Sequence, residues 1–314
     1  MKIAYIITAY TDAPQLRRLV DSLCLCDAQN VSDFYIHIDK KVNIVPFQEQ
    51  LIGSNADIFW CKNQYRINWG GFNQVRSQFE LLRLIFEEMK RPYDRIVCLS
   101  GTDYPLWSNR RIVSEFDNNP NKEYIGGFDI TKSKDKAQIR KIRNYHFFRD
   151  LALPLKLKRL ICGSSKLLFN ILPIHKPLSY LDSNGKVYDI YTGSDYWGLT
   201  YNCAKLVYET MKCDKALMNY FKTSYIPSES VINTIVFNSS FSSNCSDKCD
   251  DQVYPGLEIL TPLHLIKYAG AIKVNTINDW DELMRSDKMF FRKAKTGVSD
   301  ELISKLEREI RGIE

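Results

Sequence analysis

KIAYIITAYTDAPQLRRLVDSL, residues 2–23, decides the fold. Its first nine residues are apolar and rich in β-formers, and turn chemistry follows at once at Thr11, Asp12 and Pro14. Leu16, Leu19, Val20 and Leu23 then recur at helical spacing. A strand apolar on both faces, followed directly by an amphipathic helix, is the opening unit of an α/β sheet. Working outward, DFYIHID (33–39), ADIFWC (56–61), RIVCLS (95–100) and residues 123–128 read as further strands. Val75, Phe79, Leu82, Phe86 and Met89 place one stripe of a helix against that sheet. Farther along, 187–192, the GSDYWGLT segment (193–200) and a helix over 203–211 resume the alternation, and an amphipathic run follows Pro227. Residues 239–251 (SSFSSNCSDKCDD) read as a polar loop, and SDELISKLEREIRG as a terminal helix capped by Ser299 and stopped by Gly312. The expectation is one α/β domain over 1–314, with a mixed central sheet and helices on both faces.

Composition agrees with a folded enzyme-sized domain. Of 314 residues, 45% are hydrophobic and 25% charged, which excludes disordered and fibrous classes. No apolar run approaches the ~20 residues of a membrane-spanning helix. Nine cysteines at irregular spacing make neither a disulfide framework nor a zinc site, since Cys24/Cys26 and Cys245/Cys249 lack a second ligand pair. A reducing cytoplasm is expected. Charge is uneven: residues 131–177 hold twelve Lys/Arg against Asp135 and Asp150, a local net of +10 in a chain whose total is +6. This segment reads as a basic helical insertion. It mixes cations with apolar residues as membrane-surface helices do, and 151–172 is its candidate contact with a bilayer; a solvated insertion with a small apolar face of its own is the alternative. No helix-turn-helix or RNP pattern accompanies the charge, so no nucleic-acid partner is expected.

In such sheets ligand chemistry sits on loops at the carboxyl ends of strands. The glycine-rich dinucleotide and P-loop fingerprints are absent. The tip after the fourth strand, Ser100-Gly101-Thr102-Asp103, carries a lone aspartate where a metal-dependent nucleotide-sugar transferase would carry two close carboxylates. The Asp279-Trp280-Asp281 pair comes late and opens a helix, where capping is the simpler role. Without a metal, a departing diphosphate needs cationic side chains, for which Arg292, Lys293 and Lys267 are candidates. Glu229, directly after the rigid Ile226-Pro227-Ser228 turn, is a single carboxylate able to act as a base; an acidic residue in a first helical turn is the plainer reading of the same position.

Taken in order, AYIITAY (4–10), YIHIDKK (35–41), Trp69-Gly70-Gly71, YDRIVCLSGTDYPL (93–106), GSDYWGLT (193–200), IPSESVINTIVFNS (226–239) and DELMRSDKMFFRKAK (281–295) resemble the family 14 glycosyltransferases. These are the core-2/I-branching N-acetylglucosaminyltransferases and peptide O-xylosyltransferases. The resemblance implies a GT-A-like fold, a UDP-sugar donor, inversion at the sugar carbon, and neither metal nor other cofactor. It implies Glu229 as general base, Lys293 with Arg292 and Lys267 on the diphosphate, and Asp39 and Asp103 near the nucleoside and donor. Gly193, Ser194, Asp195, Trp197 and Trp69 would wall the sugar and acceptor site. N-acetylglucosamine is the expected donor sugar, with xylose or galactose behind it, and the acceptor a glycan hydroxyl, lipid-linked if the insertion meets a membrane. Two rivals stand beside this: a non-catalytic glycan- or nucleotide-binding protein of the same fold, and a Mn²⁺-dependent transferase working through Asp279 and Asp281.

Overall fold

The computed structural model describes residues 1–27, 29–172, 174–182, 185–250 and 252–312. Lys2–Ala9, Val31–Ile38 and Asp57–Trp60 form parallel neighbours on one side of the sheet, and Arg95–Ser100 pairs in parallel with the other edge of Lys2–Ala9. The short Gly198–Thr200 strand runs antiparallel to Arg95–Ser100 and joins it to Glu123–Asp129, which carries Cys245–Cys249 and Tyr191–Thr192. The sheet is therefore mixed.

Both faces of the sheet are covered. Ile3, Tyr5 and Ile7 pack with Leu16, Leu19 and Val20 of helix Ala13–Leu23 and with Leu302 and Ile303 of helix Asp300–Leu306. Ala4 and Ile6, one step along the strand, face the opposite layer with Val75, Leu82, Val207 and Ile235. Alternate side chains of one strand thus enter two different cores, the physical reason its sequence is apolar at every position from Ile3 to Ile7.

A second sheet of three short strands, His264–Ile266, Phe290–Arg292 and Asp103–Pro105, sits beside the main one. Its register sets Arg292 opposite both Asp103 and Ile266.

Two expectations need correction. The polar stretch after Ser239 is not all loop: Cys245–Cys249 is a strand added in parallel to Glu123–Asp129, while Asp251, the last residue of that stretch, lies outside the described residues. Ser299 does not cap the terminal helix, because its hydroxyl donates to the Asn275 carbonyl (2.7 Å) and accepts the Lys295 N–H (3.0 Å). Gly312 does stop that helix, in the left-handed conformation (φ 66°).

The basic insertion folds as helices Lys136–Arg143 and Leu155–Ile171. Asp135 caps the first through the Ala137 and Gln138 N–H groups. Among the described residues no helix is long and apolar enough to cross a membrane.

Candidate active site

The chain leaves Lys2–Ala9 for a neighbour on one side and returns on the other as Arg95–Ser100. The carboxyl ends of strands diverge at such a switch point and leave a crevice. There a cavity of about 430 Å³ opens, lined by Ala9, Asp39, Ser100 and residues brought in from later segments. Asp39, Trp69, Ser194, Asp195, Glu229 and Arg292 all reach it. Six positions separated by up to 253 residues in sequence thus share one pocket.

Glu229 is held by its backbone. Ile226 adopts a left-handed conformation (φ 51°), uncommon for a β-branched residue and costing roughly 1–3 kcal/mol. Its N–H donates to the Gly70 carbonyl (3.3 Å), and the Tyr225 N–H donates to the Lys141 carbonyl (2.7 Å). The Pro227–Glu229 turn follows, and the Glu229 carbonyl accepts both the Gly193 N–H (2.7 Å) and the Thr192 hydroxyl (3.2 Å). The side chain points to the cavity with the Lys141 ammonium 3.3 Å from Oε2. Burial pushes its carboxyl up to about 7; Lys141 works against that rise and Asp195 adds to it.

Asp195 is the second carboxylate of the pocket. Burial raises it as well, opposed by a hydrogen bond with Ser228 and by the charges of Arg292 and Lys141, and its Oδ1 is buried with no protein partner. Arg292 supplies the fixed positive charge. Its Nη1 lies 3.1 Å from Asp103, and its guanidinium lies over the Tyr196 ring at 5.1 Å. Trp69, 75% exposed, stands at the mouth edge-on to Tyr225 (5.2 Å). An exposed tryptophan beside a polar pocket offers the apolar surface on which a sugar ring can lie.

Other expected residues lie elsewhere. Asp103 is fully buried and does not face the cavity: the Ser100 N–H donates to it at 2.7 Å, and His264 Nε2 lies at 3.1 Å. It acts on the pocket only by holding Arg292. Trp197 is a core residue, 1% exposed, packed in the hydrophobic core rather than lining the pocket. Gly193 is packing rather than wall, since a Cβ there would run into the Gly126 carbonyl and the Asn233 amide. Lys267 follows the last residue of its strand and turns away, pairing with Glu282 over a separate hollow. Lys293 lines a neighbouring hollow with Thr11, Asp12, Thr102 and Lys295, joined to the main pocket through Tyr10. Asp279 is spent in a capping box with Thr276 and an ion pair with Lys273. Among the described residues no three His, Cys, Asp or Glu gather to hold a metal ion.

Several groups at the pocket escaped the sequence reading, among them Lys41, Tyr196 and, on the Glu229 carboxylate, Lys141. Lys41, whose ammonium is 3.2 Å from Asp39, stood inside a quoted segment and could have been found there. Tyr196 stood inside the quoted GSDYWGLT segment, beside the Trp197 that was named. Lys141 gave no signal, being one of twelve cations in the insertion and 88 positions from the carboxylate it meets.

Fold and site together define an α/β domain with a polar pocket at the carboxyl edge of its sheet. Its family follows from the sequence as a whole: the chain belongs to the Core-2/I-Branching enzyme family, whose model matches residues 3–250. It is similar to xylosyltransferase 2 of Rattus norvegicus and of Homo sapiens, each 24% identical over 242 residues, 76% of this chain and 25% of the relative. The chain thus spans about a quarter of the length of these relatives. Among solved structures, it aligns with the apo form of mouse xyloside xylosyltransferase 1 (TM-score 0.32, 11% identity, 79% of this chain and 85% of that one). It also aligns with glucosyl-3-phosphoglycerate synthase from Mycobacterium tuberculosis in complex with Mn²⁺, UDP-glucose and phosphoglyceric acid (TM-score 0.31, 11% identity, 66% and 58%).

Proposed function

We propose that the protein is an inverting, metal-independent glycosyltransferase that moves a sugar from a UDP-sugar to a hydroxyl of a glycan acceptor in the synthesis of a surface polysaccharide or glycan. One observation carries the reading: a carboxyl pushed up to about 7 and an arginine fixed by a buried aspartate face the same pocket. Glu229, ionised, takes the proton from the acceptor hydroxyl as its oxygen attacks the sugar carbon. A base with a pKa near the working pH is both deprotonated often enough and strong enough to do this. The bond from that carbon to the diphosphate oxygen breaks on the opposite face, so the configuration inverts and UDP departs. Arg292, with Lys293 in the adjoining hollow, takes up the diphosphate charge in the role a metal would otherwise fill. Asp39 and Lys41 are placed for the nucleoside end, and Ser194, Asp195 and Trp69 for the sugars. The irregular spacing of its nine cysteines favours a reducing compartment, the cytoplasm.

N-acetylglucosamine is the donor sugar we place first; the similarity to proteins named xylosyltransferase 2 favours xylose as the second reading. The test is UDP release from a panel of UDP-sugars, with EDTA or Mn²⁺, by wild type and Glu229→Gln. EDTA-resistant release with one sugar, reduced at least ~100-fold in the variant, is the expected result. Release only with Mn²⁺, or an active variant, would refute the mechanism. Donor binding without turnover in any acceptor mixture would favour a binding protein instead.

A further inference from the structure

Helix Leu155–Ile171 presents an unusual surface. Leu157, Leu160, Leu167, Leu168 and Ile171 recur at helical steps of three and four and are all exposed, from 44% to 73%. At 100° per residue they fall within an arc of about 100°, and from first to last they run for about 21 Å of helix. Phe169, on another side of the helix, packs inward on Tyr145 (5.5 Å) and Phe147 (5.2 Å). Among the described residues the outward stripe therefore has no counterpart in the fold. Exposed Phe148 and Leu151 precede it and Ile174 follows. Lys156, exposed, borders the stripe at about 20° beyond its edge, exposed Arg159 lies about 80° beyond the same edge, and Lys158 is half-buried.

We propose that this helix docks the protein on an anionic lipid surface, with the leucine stripe in the acyl boundary and Lys156 and Arg159 at the headgroups. An exposed apolar stripe edged by cations on a helix too polar to span a bilayer has the form of an interfacial helix. Charge selects lipid over a second copy of this chain, because pairing two such faces would bring together two segments of net charge +10. Each basic residue at an anionic surface adds roughly fivefold to binding.

The helix is coupled to the pocket mouth. Just before it, the Arg149 guanidinium lies over the Tyr225 ring at 4.3 Å, on which Trp69 also rests. The Asp150 carboxylate accepts the N–H groups of Phe72 (2.8 Å) and Asn73 (3.3 Å). Docking would thus set the Trp69 side of the pocket beside the membrane, where a lipid-linked acceptor is presented. That last consequence rests on the glycosyltransferase reading; the docking itself does not.

The test is co-sedimentation of the full chain with phosphatidylcholine vesicles and with phosphatidylserine-containing ones, in low and high salt. Wild type is compared with Leu160→Glu/Leu167→Glu and with Lys156→Glu/Arg159→Glu. Thermal melting checks that each variant is folded. Both leucines are exposed, so melting should be unchanged, while binding to anionic vesicles falls at least ~100-fold. The charge variant should lose the anionic preference and its salt dependence. Equal binding to both vesicle types, no binding to either, or anionic binding untouched by the leucine variant would each overturn the proposal. Concentration-dependent dimerisation lost in the leucine variant, with no vesicle binding, would assign the stripe to a second copy. UDP release is scored separately, so its failure does not affect this result.

Discussion

Replacing Lys141 by methionine isolates the charge that governs the base. Its ammonium is 3.3 Å from Glu229, and both side chains keep some exposure, 24% and 17%. A unit-charge attraction at that distance is about 1.3 kcal/mol in a water-like dielectric and about 5 kcal/mol at an effective dielectric of 20. Residual solvent contact favours the lower half of that interval, so losing the cation should raise the Glu229 pKa by about one to two units. The sign follows from the chemistry: the base must be ionised, so activity climbs with pH through its pKa. The acidic limb of kcat/KM for UDP release should therefore move from near 7 to about 8–9 in Lys141→Met, with most activity recovered above it. Lys141→Arg, which keeps the charge, should leave the limb near its wild-type position. An unmoved limb in the methionine variant, or an equal shift in both variants, would refute this electrostatic role. A flat loss at every pH would mean that Lys141 serves the turn's geometry instead.

Lys176 is 5% exposed, donates to the Tyr220 carbonyl (3.0 Å) and the Ser224 hydroxyl (2.7 Å), and is lowered by burial to about 7. The unfolded chain then binds the extra proton between about pH 7 and 10.5, so this residue should add up to about 1.4 kcal/mol of stability per pH unit as pH rises through that window; urea unfolding of Lys176→Met should show a correspondingly flatter profile, and parallel profiles would refute the assignment. Asp150→Ala removes the carboxylate that receives the first N–H groups of helix Asn73–Arg83 and should cost about 1–2 kcal/mol in the same assay.

Strands Lys2–Ala9, Val31–Ile38 and Arg95–Ser100 were legible because each is buried on both faces, and helices Ala13–Leu23 and Asn73–Arg83 because each keeps one apolar stripe. Cys245–Cys249 was not, because it adds to the edge of the sheet and keeps polar side chains half-exposed, a pattern shared with loops. In the pocket, Glu229 was reachable because a rigid turn precedes it, and Asp195 only through the family resemblance of GSDYWGLT. Arg292 and Lys293 were found as a pair, yet adjacency placed them in two hollows. Trp197 and Lys267 show the limit of segment reading: each stands next to a residue that lines the pocket, Tyr196 and Ile266, and no motif says which neighbour faces it. Asp103 was noticed for its place at a strand tip, but the second sheet that turns it into the anchor of Arg292 joins strands far apart in the chain. Lys141 needed the whole tertiary arrangement.

Glu229 receives its position and its acidity from different groups. The position comes from the Gly193 N–H and the Thr192 hydroxyl on its carbonyl, and from the Gly70 and Lys141 carbonyls on the turn before it; the acidity comes from burial, moderated by the Lys141 side chain. Those two properties can therefore be inherited separately. A lineage that rewrites the side chains of residues 131–177 while keeping the Lys141 main chain in place would keep the Glu229 carboxylate in register while resetting the pH at which it ionises. The same rewriting alters the surface that carries the leucine stripe, so adaptation to a new surface and adaptation to a new pH would arise together, from changes in one segment.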